Sequence, residues 1–365
     1  MFNSWFFRVV LIPSSVFLSV VFGGSYGTGR EIMEFVSRFG PKSGLLGISM
    51  ILLTYAVLLF VTFELARLFK AYEYRGFFKV LLGRGWFLYE FVILVGMVIT
   101  LAVCATAAGA VLNSHFDQPK WLGSLLLLAI VFLLNYQGRA IVEKTMIAAV
   151  VALMLVLLGL VYQLAGDGAD AIREAFAADS LDPGTWSGGV QYALVNGGFI
   201  PLLLYCSRGI ESRPQALIAG CCAACVAVIP AIVFHVAFMS AYPEVTEKEL
   251  PTYWLIEQLA APWFLNAYAL VLFVLIAQTG VGMLQGFLER LDAWQLQTKG
   301  APLTSIGHGL VGIGMVAGSM LLGSVGIIAL IAAGYNILAV SFILVFAVPL
   351  LTRGVWLMFV GGNTG

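Results

Sequence analysis

From Gly44 to Phe63 no residue carries a charge, and stretches of the same kind return along the whole chain. About 20 apolar residues wound as a helix match the hydrocarbon thickness of a bilayer. A barrel strand would need about 10 residues and would alternate apolar with polar side chains, which these runs do not do. Read at a length of about 20 residues, the chain divides into ten spans, at roughly 6–39, 44–69, 86–112, 121–136, 141–163, 186–209, 214–240, 263–288, 303–322 and 324–351. Charged residues make up only 10% of the chain, where a soluble domain carries about a quarter. Such a chain cannot cover a water-facing surface, so an all-α polytopic membrane protein is expected, with the lipid bilayer as its first partner. The balance of 19 basic and 19 acidic residues removes a nucleic-acid partner. All five cysteines fall in apolar segments, and Cys221, Cys222 and Cys225 have no histidine or acid near them in sequence. They read as packing residues, and no metal site is expected.

The first span contains "GGSYGTGREIMEF", Gly23 to Phe35, where glycines crowd together and Arg30, Glu31 and Glu34 follow at once. A helix unwound in lipid frees backbone groups that each cost several kcal/mol unless protein, water, solute or ion supplies partners. Glycine permits the dihedrals and lets a ligand approach the main chain. A half-helix starting near Gly29 would aim its positive end at the gap, suiting a carboxylate, while the carbonyls ending the preceding half suit a cation. The sixth span is interrupted in the same way at Asn196-Gly197-Gly198. By contrast, Gly309, Gly312, Gly314, Gly318 and Gly323 in the ninth span read as close-packing glycines.

The two interruptions fall in the first span of each five-span half. An odd number of spans per half makes the second half inverted, and paired broken helices in inverted halves point to a transporter site at the midplane. The organisation is then residues 1–163 as the first repeat, 164–185 as an acidic outer connection, 186–355 as the second repeat and 356–365 as a tail. With the N-terminus inside, thirteen of the nineteen basic residues lie on the cytoplasmic side, among them Arg8, Arg67, Arg75, Arg139, Lys144 and Arg290. That satisfies the positive-inside rule, places both termini in the cytoplasm and suggests a cytoplasmic (inner) membrane.

The first motif resembles the G-A-G-F-A-S-G-Q-E-I-L-Q-F pattern of the YkvI-like uncharacterised membrane proteins. More loosely, it is similar to the first-helix motif of amino acid–polyamine–organocation transporters, which share the leucine-transporter fold. "AYEYRGFFKVLLG", "NYQGR" and "QTGVGMLQGFLERL" are weaker matches. The resemblance implies a secondary transporter whose first and sixth helices form the solute site, lined by the third, eighth and tenth. It makes Gly23, Gly27 and Gly29 backbone contacts to the solute, with Asn196, Gly197 and Gly198 as counterparts. Gly24, Ser25 and Thr28 complete the first gap, and Tyr26 and Phe199 stand beside the breaks as side walls or lids. Thr279 falls where the relatives carry the second of two adjacent threonines, near a sodium site between the first and eighth helices. Gln278 replaces the first threonine, and Arg30 replaces a glutamine. No cofactor is implied; the coupling ion is H+ or Na+.

Ionisable groups inside a membrane are costly and are functional candidates by default. Glu31, one turn into the half-helix, is the leading one, either facing the gap or paired with Arg30 in a vestibule. Glu64 and Glu90 lie near span ends, within reach of water or basic neighbours. His235 reads as a hydrogen-bonded packing residue, and Tyr335-Asn336 interrupts the tenth span at mid-depth. No H-E-x-x-H or G-x-S-x-G constellation is present, so an enzyme is not expected. The expectation is a cation-coupled symporter for an amino acid or related amine or carboxylate. The alternative is a ligand sensor on a transporter scaffold, of the germinant-receptor kind.

Overall fold

A computed structural model describes residues 4–361 apart from 22, 138–151, 153, 165–167, 260 and 302. The described residues are helical throughout, joined by turns and short loops. A π-helical turn, Phe7–Leu11, leads into α1 (Ile12–Val21). Beyond the first break come α2 (Gly24–Gly27) and α3 (Arg30–Phe35). Next are α4 (Pro41–Phe69), α5 (Tyr74–Leu82), α6 (Trp86–Phe116) and α7 (Lys120–Gln137). Of the expected fifth span, α8 (Met154–Gln163) is described, whereas Arg139, Lys144 and the end of the "NYQGR" motif lie outside the described residues. Then follow α9 (Ala169–Ala178), α10 (Trp186–Gly197), a 3-10 segment (Ile200–Gly209), α11 (Arg213–Met239), α12 (Pro251–Leu259), α13 (Pro262–Lys299) and α14 (Ser305–Gly323). The last span joins α15 (Ile327–Ala329), α16 (Tyr335–Phe342) and α17 (Val355–Gly361) through three π-helical turns.

Among the described residues, six helices are long and apolar enough to cross a membrane. A seventh is counted when α10 and the 3-10 segment, bent by 69° at their junction, are taken as one span. The protein is therefore a multi-pass membrane protein. Local chemistry sets several boundaries. Gly40, at φ +100°, turns the chain so that Pro41 can open α4, where its missing N–H is no loss. Thr304 caps α14 by accepting the Gly307 N–H. Gly300, at φ +75°, ends α13 with its N–H on the Leu296 carbonyl.

Two expectations need correction. The first interruption is not one unwound stretch from Gly23 to Gly29. Gly27 N–H reaches the Gly23 carbonyl at 3.3 Å, so a helical turn survives between two hinges, and only Gly29 takes a positive φ, +77°. The ninth-span glycines are also not a packing stripe. A side chain at Gly309, Gly314 or Gly318 would meet nothing within 4 Å, because α14 lies at the periphery of the bundle. Only Gly312, against Phe132, and Gly323, against Thr106, pack closely.

Candidate functional site

The two breaks persist because other helices supply the donors that the main chain lost. At the first, the Tyr268 hydroxyl of α13 donates to the Gly27 carbonyl at 2.7 Å, and Thr252 N–H of α12 donates to the Thr28 carbonyl at 3.2 Å. At the second, the Tyr89 hydroxyl of α6 donates to the Gly198 carbonyl at 2.9 Å. Each buried carbonyl would otherwise cost about 1–3 kcal/mol.

The break residues fall into two groups. Gly23 faces α13: a Cβ there would lie 3.5 Å from both the hydroxyl and the methyl of Thr279. Thr279 itself donates to the Leu275 carbonyl at 3.1 Å, and the neighbouring Gln278 is buried with its amide nitrogen unpartnered. The structure thus brings Gly23, Gln278 and Thr279 together. Residues 27 to 29 are enclosed by α12, α13 and Phe238, and a side chain at Gly29 would strike Phe238 and the Thr252 hydroxyl. The backbone of Gly24 and Ser25 forms the surviving turn. In the sixth span, Gly197 meets Leu58 of α4 and Gly198 meets the Phe342 ring, so both serve close helix approach. Asn196 turns its amide onto the Tyr192 carbonyl, and Phe199 packs edge-on against Phe342.

Arg30 does not aim at the first break. Its guanidinium donates to the Thr246 and Lys248 carbonyls at 2.7 and 3.1 Å and to Glu34 at 2.6 Å, with Arg38 on the other Glu34 oxygen. The pair is therefore Arg30–Glu34, not Arg30–Glu31. Nor does α3 offer a strong positive end to the gap. It has only six residues, and its first N–H is taken at 3.1 Å by the Thr28 hydroxyl.

Glu31 points the other way, into the middle of the bundle, where it is 2% exposed. The Tyr335 hydroxyl of α16 donates to it at 2.7 Å. From Tyr335 a row of rings continues through Phe35 and Tyr192 to Tyr26, with neighbouring centroids 5.9–6.5 Å apart. Tyr55, Tyr192, Tyr89 and Tyr268 are missing from the sequence-based site. Their signal is a single phenol inside an apolar run ("LLTYAVLL", "VQYALV", "WFLYEF", "LNAYAL"), which in a membrane interior needs a partner for its hydroxyl.

The other intramembrane polar groups are held locally. Glu64 takes two bonds of 2.8 Å from Arg67. Glu90 lies among Tyr74, Arg75 and Arg290. His235 is bound on both ring nitrogens, by Ser37 and by the Pro41 carbonyl. Asn336 accepts from Gln191. No group of three or more metal-ligating side chains exists among the described residues.

Crystal structures of the manganese transporter of Eremococcus coleocola are similar to this chain in fold. The one in complex with an aromatic bis-isothiourea substituted compound gives a TM-score of 0.52 at 14% identity, covering 99% of this chain and 84% of that one. Two variants of that transporter give 0.51 and 0.53, at the same identity and covering 85% of their chains. The fold is that of a membrane transporter. No protein-family model matches the chain, and no curated protein matches it.

Proposed function

We propose that the protein is a secondary active transporter, moving a small organic solute by alternating access and coupled to a cation gradient. The capping of the two breaks carries this reading. With 1–163 and 186–355 taken as inverted five-span repeats, the break in each half receives a phenol from the third span of the other half: Tyr268 for the first, Tyr89 for the second. That reciprocity supports a leucine-transporter-type arrangement of ten spans and a solute site between the broken helices. The first-helix motif favours a place beside the YkvI-like proteins, and the distribution of basic residues favours a cytoplasmic membrane with both termini inside.

For the solute, we favour an amino acid or a related amine or carboxylate over a metal ion. The structural neighbour carries manganese, a cation served by several carboxylate, imidazole or carbonyl ligands. The break here holds no acidic residue or histidine between Gly23 and Gly29, and the described residues contain no metal-ligating cluster. For the coupling ion, protons are favoured over sodium, because Gln278 stands where a hydroxyl ligand is expected.

Uptake of a labelled amino acid and amine panel into proteoliposomes, under imposed pH and sodium gradients, tests the reading. Accumulation driven by the pH gradient is the expected result. Accumulation that needs sodium and ignores pH would reverse the choice of ion. Saturable binding without any accumulation would favour the sensor on a transporter scaffold.

A further inference from the structure

A cavity of about 360 Å³ lies away from both breaks, between the last turns of α6, the start of α7, the end of α14 and the loop before α12. Close contacts beside it keep its walls from moving together. A Cβ on Gly109 or Gly123 would strike the facing backbone of α7 or α6, and one on Gly323 would lie 2.6 Å from the Thr106 hydroxyl. The buried part is polar. Ser319 lines the cavity at 0% exposure, and its hydroxyl has no hydrogen-bond partner. Such a group is costly in a membrane interior until something enters to meet it. Thr106 and Ser124, on the other walls, donate to the Ala102 and Ala105 carbonyls at 2.8 and 2.7 Å and keep oxygen lone pairs to offer. The rim is charged. Lys120 and Glu249 line it and meet at 2.6 Å, each about half exposed. An ion pair so exposed is worth little, so either partner can be exchanged for a group on a guest. α7 starts at Lys120, and the positive end of its dipole adds to the ammonium. Trp121, exposed on the same rim, is the residue type that gathers at the level of lipid headgroups.

A guest that satisfies this lining carries both charges a few bonds apart, with N–H donors for the hydroxyl oxygens. We propose that the cavity binds a phosphoethanolamine group, its phosphate on Lys120 and the first turn of α7, its ammonium on Glu249 and the cavity hydroxyls. The same chemistry can arrive on a membrane phospholipid or as a free phosphoethanolamine ester. The site is separate from the broken helices and does not depend on the transporter reading.

The test titrates the purified full-length chain, in detergent, with dihexanoyl phosphatidylethanolamine and with glycerophosphoethanolamine. Ethanolamine and inorganic phosphate serve as the single charges, and thermal shift and affinity are both read. Binding of the acylated compound alone assigns the site to lipid, and equal binding of the two assigns it to the free ester. Each single charge should bind at least tenfold more weakly than the zwitterion. Lys120→Gln and Glu249→Gln, both at exposed positions, should each weaken binding roughly tenfold, as expected for losing a charged hydrogen-bond partner. Ser319→Ala should raise the melting temperature of the empty protein, because it removes an unmet hydroxyl, and should weaken binding several-fold. A hydroxyl with no part in binding would give the same rise in melting temperature with affinity unchanged. Affinity unchanged in any of the three variants, binding of ethanolamine or phosphate as tight as that of the zwitterion, or no binding of either phosphoethanolamine compound would overturn the site.

Discussion

Gly29 is the residue on which the first break turns, and it leaves no room for a side chain. At φ +77° an L-residue is strained, and a Cβ would sit 2.3 Å from the Thr252 hydroxyl and 2.5 Å from Phe238. Gly29→Ala should therefore cost about 3 kcal/mol, strain and overpacking together, seen as a lower melting temperature in detergent. Gly282, inside α13 with nothing within 4 Å, is the control, and Gly282→Ala should stabilise by about 0.5 kcal/mol. Arg30 makes a second residue-scale prediction. It is 4% exposed and bound to a buried carboxylate, so Arg30→Gln should cost about 3 kcal/mol of stability. Solute affinity should stay within about twofold of the unsubstituted protein, because the guanidinium is turned from the centre. A loss of affinity tenfold or greater with stability unchanged would return Arg30 to the solute.

At the scale of elements, each break depends on a helix remote in sequence. Tyr268→Phe and Tyr89→Phe each leave a buried carbonyl without its donor and should each cost about 1–3 kcal/mol. The two contacts share no partner, so the double variant should show the sum, and a marked departure from additivity would mean that the breaks are coupled. Much of this architecture was legible beforehand. Uninterrupted apolar runs placed α4, α6, α11 and α13, and small residues placed both breaks within a residue or two. The ends were less legible: α13 continues to Lys299, since polar residues past 288 can stay helical where a span leaves the apolar zone. The site was read less well, for a physical reason. Charge draws attention to Arg30 and Glu31, which are neighbours in sequence yet face opposite ways on a helix. The phenols that cap the breaks, and the Tyr335 phenol that donates to Glu31, are uncharged, and only the packing of distant helices reveals what they bind.

Across the whole molecule, charged clusters lie at opposite ends of the bundle. At one end, Arg30, Glu34 and Arg38 tie α3 to the loop before α12. At the other, Glu90 at the start of α6 meets Arg75 and Arg290, and the Arg290 guanidinium lies 5.0 Å from the Tyr74 ring centroid. Between them Cys104, 0% exposed and within α6, is a native reporter of access to the bundle interior. In a chain whose other four cysteines are replaced by alanine, Arg290→Gln should raise the rate of Cys104 alkylation roughly fivefold or more, as a shift of about 1 kcal/mol in the closed population predicts. Mass spectrometry over a time course reads this directly. An unchanged rate would reduce the cluster to a surface ion-pair network.

The second half of the sixth span has one more property. Ile200–Gly209 is a 3-10 helix ten residues long, well beyond the usual length of that form. A 3-10 helix rises about 2.0 Å per residue and an α-helix about 1.5 Å, so the segment is about 5 Å longer than the same residues would be as α-helix. That difference is a stroke along the helix axis, available without moving α10 or unfolding a turn. Winding the segment tighter or looser would carry Gly209, together with the Arg8 side chain packed against it, toward or away from the midplane.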